Sequence, residues 1–443
     1  MKVSVSNKDI IRLAAPISLS LLIPQLNFLT NTAFLGRLGE QELGVNGITG
    51  VFYLTLAMIG YGLSNGIQVQ MSRRAGEGDQ LGLTRTLTNG IMLSVLFALG
   101  MMLLSLWLAP LIFGYSLSSS ENVFLSIDFL YIRVWGLPFL MLTQLMNAFY
   151  ISTGRSRFLI YGSLVSTAVN IIFDYFLIFG HGGFEAMGFE GAALASVFAE
   201  ISACLIMCAI FFIKRLHIQY RVSEFWTFDT KLSQKSLKVS APLIVQFLFS
   251  IGGWQIFFIF VEHLGERELA SSQILRSVFG IMSVGTWAFA ATCNTMVSNL
   301  IGQRKQRLVL HLVGKVMKLS ISYVVIIGGL LLLFGSAFLS LYRNDPDLVS
   351  FAIPSLHVIL VAALIMSLST TMFNAVLGTG NTLVNLFIEV TCVLTYLVYC
   401  YIVIERMRLS LAWAWGSEFV YWTSLLIISG LYLRSGRWKD KKI

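Results

Sequence analysis

Charge is what this sequence has least of. Only 12% of its 443 residues are charged and 56% are hydrophobic, whereas a soluble domain carries about 25% charged residues. An apolar excess of that size cannot be hidden in one soluble core and needs lipid as its solvent. Apolar–polar alternation is also missing. Runs such as Ile321 to Leu339 are continuously apolar, which excludes barrel strands of about ten alternating residues. Helices are then the remaining way for a lipid-exposed backbone to satisfy its own hydrogen bonds.

The sequence is equally short of catalytic and metal-binding patterns. No phosphate-binding loop, zinc-protease motif or metal-spaced histidine cluster occurs, and the five histidines are scattered. The five cysteines (Cys204, Cys208, Cys293, Cys392, Cys400) all lie inside apolar runs. Cys204 and Cys208 share a helix face, but no histidine or carboxylate stands near to complete a metal site, so they read as packing thiols. Gly62-x-Ser64-x-Gly66 fits a nucleophile elbow only where a strand turns into a helix; in an apolar helix its small residues serve close packing. An enzyme is therefore not expected, nor is any cofactor. The polar stretch Met1 to Arg12 runs into a full-length span and does not read as a cleavable leader.

What is present is a series of twelve apolar spans, near 10–35, 45–71, 88–113, 123–151, 157–180, 188–213, 239–262, 270–299, 310–340, 347–377, 382–404 and 410–434. The fold class that follows is all-α and integral to a membrane. The formal charge of +9 is spread over the short connections, so it reads as a topology signal and not as a nucleic-acid footprint. Lys2, Lys8, Arg12, Arg73, Arg74, Arg85, Arg155, Arg157, six basic residues in Lys214 to Lys238, Arg304, Lys305, Arg307, Lys315, Lys318 and the tail Arg434 to Lys442 fall on one side. Only Arg37, Arg267, Arg343, Arg406 and Arg408 fall on the other. The positive-inside rule places both termini in the cytoplasm.

The second half repeats the first. Ala15-Pro16 matches Ala241-Pro242, and Leu38-Gly-Glu-x-Glu-Leu43 matches Leu264-Gly-Glu-x-Glu-Leu269. Gly76 matches Gly302, and Thr153-Gly154 matches Thr379-Gly380, every pair 226 residues apart. Two six-helix bundles (1–213 and 239–443) joined by a cytoplasmic connector (214–238) follow. An even number of spans per copy relates the bundles by a pseudo-two-fold axis along the membrane normal. Pro16, Pro24, Pro138, Pro242 and Pro354 lie within spans, where they allow bending.

Ionisable groups inside hydrocarbon are functional candidates by default. Asp128, Glu262 and Arg276 lie near span ends, where they reach the interface or pair. Arg133 and Glu200 are deeper, either as halves of an ion pair or, for Glu200, as a secondary coupling group; Glu389 and Glu418 also lie in spans. Asp174 is the sharpest candidate. It follows Asn170 by four residues, so one helix face presents an amide and a carboxylate a turn apart. Burial disfavours the charged carboxylate, so such a group takes up and releases a proton; its oxygens equally suit sodium.

These residues together resemble the multidrug and toxic compound extrusion (MATE) family, in its DNA-damage-inducible-protein-F-like branch, over nearly the whole chain. The resemblance rests on Pro16 with Phe34-Leu-Gly-Arg-Leu-Gly39, Ser152-Thr-Gly-Arg155, Asn170-Ile-Ile-Phe-Asp174-Tyr-Phe-Leu-Ile-Phe-Gly180 and Gly191-Ala-Ala-Leu-Ala-Ser196. It implies export of amphiphilic drugs in exchange for protons or sodium, by a protein that works as a monomer. It also implies a cation-binding N-terminal half with Asp174 as carboxylate and Asn170, Asn147 and Ser196 as neighbours. Where the family often has an acid in span 1, this chain has Asn31, which binds a cation or hydrogen-bonds Asp174 but does not titrate. Ser250 replaces the span 7 glutamate of another branch and the span 10 acid is missing near Met366 and Ser367, so no cation site is expected in the C-terminal half. Gln25, Phe52 and Gln144 are assigned to the substrate cleft by position. The alternative within the superfamily is a flippase of lipid-linked saccharide, whose polyanionic substrate needs a cationic cavity that Arg133 and Arg276 alone barely supply. The loop Arg73-Arg-Ala-Gly-Glu-Gly78 lacks the Asp-Arg signature of a major-facilitator carrier.

Overall fold

The structure, a computed structural model, describes residues 3–117, 119–342 and 346–439. Lys2, Arg343, Lys441 and Lys442, counted above among the basic residues of the connections and tail, lie outside the described residues. The described residues are helical, with no strand among them. In chain order the long helices are α1 (Asn7–Leu38), α2 (Glu40–Glu77), α3 (Gln80–Ser116), α4 (Ser120–Ser152), α5 (Phe158–Phe179), α6 (Gly188–Ile213), α7 (Thr230–Glu262), α8 (Glu266–Gly302), α9 (Val309–Tyr342), α10 (Pro346–Gly378), α11 (Thr382–Cys400) and α12 (Ser417–Ser435).

Among the described residues, eleven helices are long and apolar enough to cross a membrane. The twelfth, α12, is 19 residues long and less apolar because its first turns carry Glu418, Tyr421, Trp422, Thr423 and Ser424. The chain is a multi-pass membrane protein. The outward sides of its helices carry Leu103, Trp107, Ile326, Leu333 and Phe387, which a soluble surface would not tolerate in such density.

Three spans read as continuous apolar runs are interrupted. Span 4 tightens into a 3₁₀ turn at Val134–Gly136 just before Pro138, whose missing N–H breaks the α-helical ladder. Span 11 passes from α11 into a π-helical segment, Tyr401–Arg406. Span 12 is divided at Gly416 into a short helix, Leu411–Trp415, and α12. A Cβ at Gly416 would stand 2.8 Å from the Tyr399 hydroxyl.

The chain divides into two compact units, one of Leu19–Arg74 and Asp79–Ile244, the other of Met1–Ser18, Ala75–Gly78 and Val245–Ile443. In the first, α5 ends at Gly180, whose φ of 72° is the left-handed conformation that closes a helix. Gly191 then lets the start of α6 approach that end, since a Cβ there would lie 2.7 Å from the Leu177 carbonyl oxygen. The small residues of Gly62-x-Ser64-x-Gly66 do serve packing. A Cβ at Gly62 would stand 2.8 Å from Ile244 Cα, and one at Gly66 2.7 Å from Ser240 Cα. The Ser240 hydroxyl fills that contact by donating to the Leu63 carbonyl at 3.0 Å.

The second unit is organised around an aromatic centre. Trp415, wholly buried, stands edge-on to Phe257 and Trp254, with ring centroids 5.2 and 6.0 Å away. Its indole N–H donates to the Ser272 hydroxyl at 3.1 Å, meeting the requirement that a buried indole find an acceptor.

Candidate cation-coupling site

Asp174 and Asn170 lie one turn apart on the buried face of α5, at 0% and 2% exposure. The Asn170 amide donates to the Ser196 hydroxyl of α6 at 3.4 Å, so two of the neighbours expected from the sequence are brought together. Asn170 Oδ1 and both carboxylate oxygens of Asp174 are enclosed without a hydrogen-bond partner among the described residues.

α1 runs beside α5 in the same direction. Near one end the Ser163 hydroxyl donates to the Ser20 carbonyl at 2.9 Å. Near the other, the rings of Phe34 and Phe179 meet edge-on at 5.6 Å. Counting from the Ser20–Ser163 bond at 1.5 Å per residue, Asn27 falls level with Asn170 and Asn31 with Asp174. Asn27 Oδ1 and Asn31 Oδ1 are likewise enclosed without a partner. Two parallel helices thus present unpaired oxygens at the same two levels. Leaving buried acceptors unmet costs about 1–3 kcal/mol each, so a proton or an oxygen-seeking cation is the chemistry this arrangement suits. Asn27 was missed in the sequence, although its four-residue spacing from Asn31 repeats that of Asn170 and Asp174. Asn147, in α4, is half-buried and makes no described hydrogen bond to this group.

Glu200 does something different. The Arg133 guanidinium clamps it through two bonds of 2.8 Å, and the Tyr53 hydroxyl stands 2.8 and 3.0 Å from its two oxygens. The guanidinium also lies over the Tyr53 ring, 3.8 Å from its centroid. Gly136 makes room, because a Cβ there would overlap Glu200 Oε2. This is the structural ion pair allowed for in the sequence. Arg133 pairs with Glu200, and among the described residues Asp174 makes no ion pair.

The other candidates separate cleanly. Asp128, Glu262 and Arg276 are exposed, as groups at lipid or water boundaries are. Gln25 is exposed, while the Gln144 amide ties α4 to α2 by donating to the Ala57 carbonyl at 3.0 Å. Phe52 packs against Phe113, centroids 5.6 Å apart.

Comparison with known proteins agrees with this architecture. A sequence model of the MatE family matches residues 16–176 and again 242–402, two copies at the same 226-residue offset as the internal repeat. A probable multidrug resistance protein NorM from Thermotoga maritima is 23% identical over 98% of this chain and 94% of its own length. One from Shewanella oneidensis is 24% identical over 78% of this chain and 75% of its own length. Among solved structures, an outward-facing multidrug resistance MATE family transporter of the MOP superfamily superposes with a TM-score of 0.89 at 18% identity, covering 98% of this chain and 97% of that one. A MOP superfamily transporter from Pyrococcus furiosus, described as having a binding pocket of reverse polarity, superposes at 0.88 with 17% identity, covering 98% and 97%. These likenesses establish a twelve-helix fold.

Proposed function

The chain belongs to the MatE family of membrane transporters, and from that premise we propose that it exports amphiphilic small molecules in exchange for a proton or sodium ion bound at Asp174. The observation that carries this reading is the Asp174 carboxylate, buried in α5 with both oxygens unpartnered. A fixed charge left so would cost several kcal/mol, so the group is expected to spend each state of the cycle with a proton or cation bound, or with water admitted. The relatives' printed names, multidrug resistance proteins, support the substrate class.

The mechanism is alternating access. Ion loading favours one arrangement of the helices and substrate the other, and each displaces its rival as far as its affinity differs between the two. Asn31 supplies an oxygen and no proton, so the site carries one titratable group. The bias of Lys and Arg towards one set of connections supports cytoplasmic termini, and the membrane proposed is a bacterial inner membrane. The protein is taken to act as a monomer, with lipid and small amphiphiles as its partners.

Export of ethidium from proteoliposomes under imposed proton or sodium gradients tests the reading. Wild type is expected to export under at least one gradient, and folded Asp174→Asn under neither. Equal export by the variant would remove Asp174 from the coupling step. An inactive wild type would redirect attention to the lipid-linked saccharide flippase reading.

A further inference from the structure

Glu389 is a second buried carboxylate, 1% exposed, on α11. It sits in the unit opposite to that of Asp174 in the chain's division, and the sequence assigned it no role. Its Oε1 accepts from the Tyr421 hydroxyl of α12 at 2.7 Å and makes a close hydrogen bond with the Ser250 hydroxyl of α7. None of the ion pairs among the described residues involves it. One turn earlier on the same face, the Asn385 amide donates to Gln246 Oε1 of α7 at 2.7 Å. Asn385 Oδ1, at 0% exposure, is enclosed without a partner. The Asn-x-x-x-acid spacing of Asn170 and Asp174 therefore recurs as Asn385 and Glu389.

We propose that Glu389 is a proton-binding site whose two protonation states are both satisfied by Ser250. The Ser250 hydroxyl has one hydrogen and two acceptors in reach, Glu389 Oε1 and the Gln246 carbonyl 3.1 Å away. With Glu389 ionised, that hydrogen points to the carboxylate. With Glu389 protonated, the acid O–H donates to Ser250 Oγ and the serine hydrogen turns to the Gln246 carbonyl. One proton is gained, no acceptor is stranded, and α7, α11 and α12 stay joined in both states. Glu200 is the contrast, held ionised by a bidentate guanidinium.

The titratable groups around Glu389 are few. α12 presents Tyr421 and, three residues earlier, Glu418, whose carboxylate accepts from the Trp422 indole at 2.7 Å. α11 itself contributes Cys392 and Tyr396. α7 offers Ser250 and Gln246 at this level, its ionisable side chains (Lys231, Lys235, Lys238, Glu262) lying towards its ends. On α10 they are Asp347 in the first turn and the exposed His357. Among the described residues no cation pairs with the carboxylate to fix its charge, so its proton is the species that answers to pH.

Any use of this proton in transport rests on the antiport reading above; its binding does not. The test is infrared difference spectroscopy of the lipid-reconstituted full chain, without substrate, titrated from acid to about pH 9, well above the ordinary carboxyl range. Wild type is expected to show a protonated-carboxyl band that disappears as pH rises. The band should be absent in Glu389→Gln, shifted in frequency in Ser250→Ala and Tyr421→Phe, and retained in Asp174→Asn. A Glu389→Gln spectrum identical to wild type would overturn the proposal. So would a band in Ser250→Ala and Tyr421→Phe that does not move, or displacement of the band by sodium at constant pH. Because no export is measured, inactivity in proteoliposomes would count against the antiport reading alone.

Discussion

The Ser163 hydroxyl of α5 donates to the Ser20 carbonyl of α1 over 2.9 Å, and that one bond sets α1 in register with α5. Eleven residues further along each helix stand Asn31 and Asp174. Counting along the two helices puts Asn31 at the level of the carboxylate, so an acid placed there is expected to stand at the same depth as Asp174.

Asn31→Asp is therefore expected to add a second titratable group to the same site. The proton-to-substrate ratio, read from the substrate gradient that just balances a known pH gradient, should rise. An unchanged ratio would place Asn31 away from the ion.

The Arg133–Glu200 pair gives a prediction about stability. Glu200→Gln leaves a buried guanidinium without its counter-charge, which costs about 3–5 kcal/mol. Replacing both, as Arg133→Met with Glu200→Gln, should recover much of that loss, since no charge is then stranded. Thermal melting of the detergent-solubilised variants in a double-mutant cycle measures the coupling. Additive losses would mean that the two side chains act independently.

Glycine positions on α2 should differ sharply. At Gly66 a methyl group would press on Ser240 Cα, whereas at Gly47 it meets nothing within 4 Å. Gly66→Ala is expected to destabilise by about 1–3 kcal/mol through overpacking. Gly47→Ala should be neutral or stabilising by up to about 1 kcal/mol, because alanine suits a helix better than glycine. Chemical unfolding of the two variants side by side decides it, and equal midpoints would argue against the close approach of α2 and α7.

Much of this was legible in the sequence because it is periodic. Apolar run length gives the helices, the 226-residue repeat pairs them, and the four-residue spacing puts Asn170 and Asp174 on one face. Contacts between distant helices were not legible. Arg133 and Glu200 are 67 residues apart, and they are brought together only by the packing of α4 against α6. Asn27 gained meaning only from the register fixed by Ser20 and Ser163. Ser250 read as a lost acid, and the structure shows its hydroxyl bonded to a carboxylate supplied by a different helix, at Glu389. Such substitutions across space leave no pattern along the chain.

Competition between ion and substrate through Asp174 is measurable at equilibrium, without transport. Ethidium affinity of the detergent-solubilised protein would be titrated against proton and, separately, sodium concentration. Affinity is expected to fall as the coupling ion rises in wild type and to be independent of both ions in Asp174→Asn. The same competition persisting undiminished in Asp174→Asn would contradict this and move the coupling site elsewhere in the molecule.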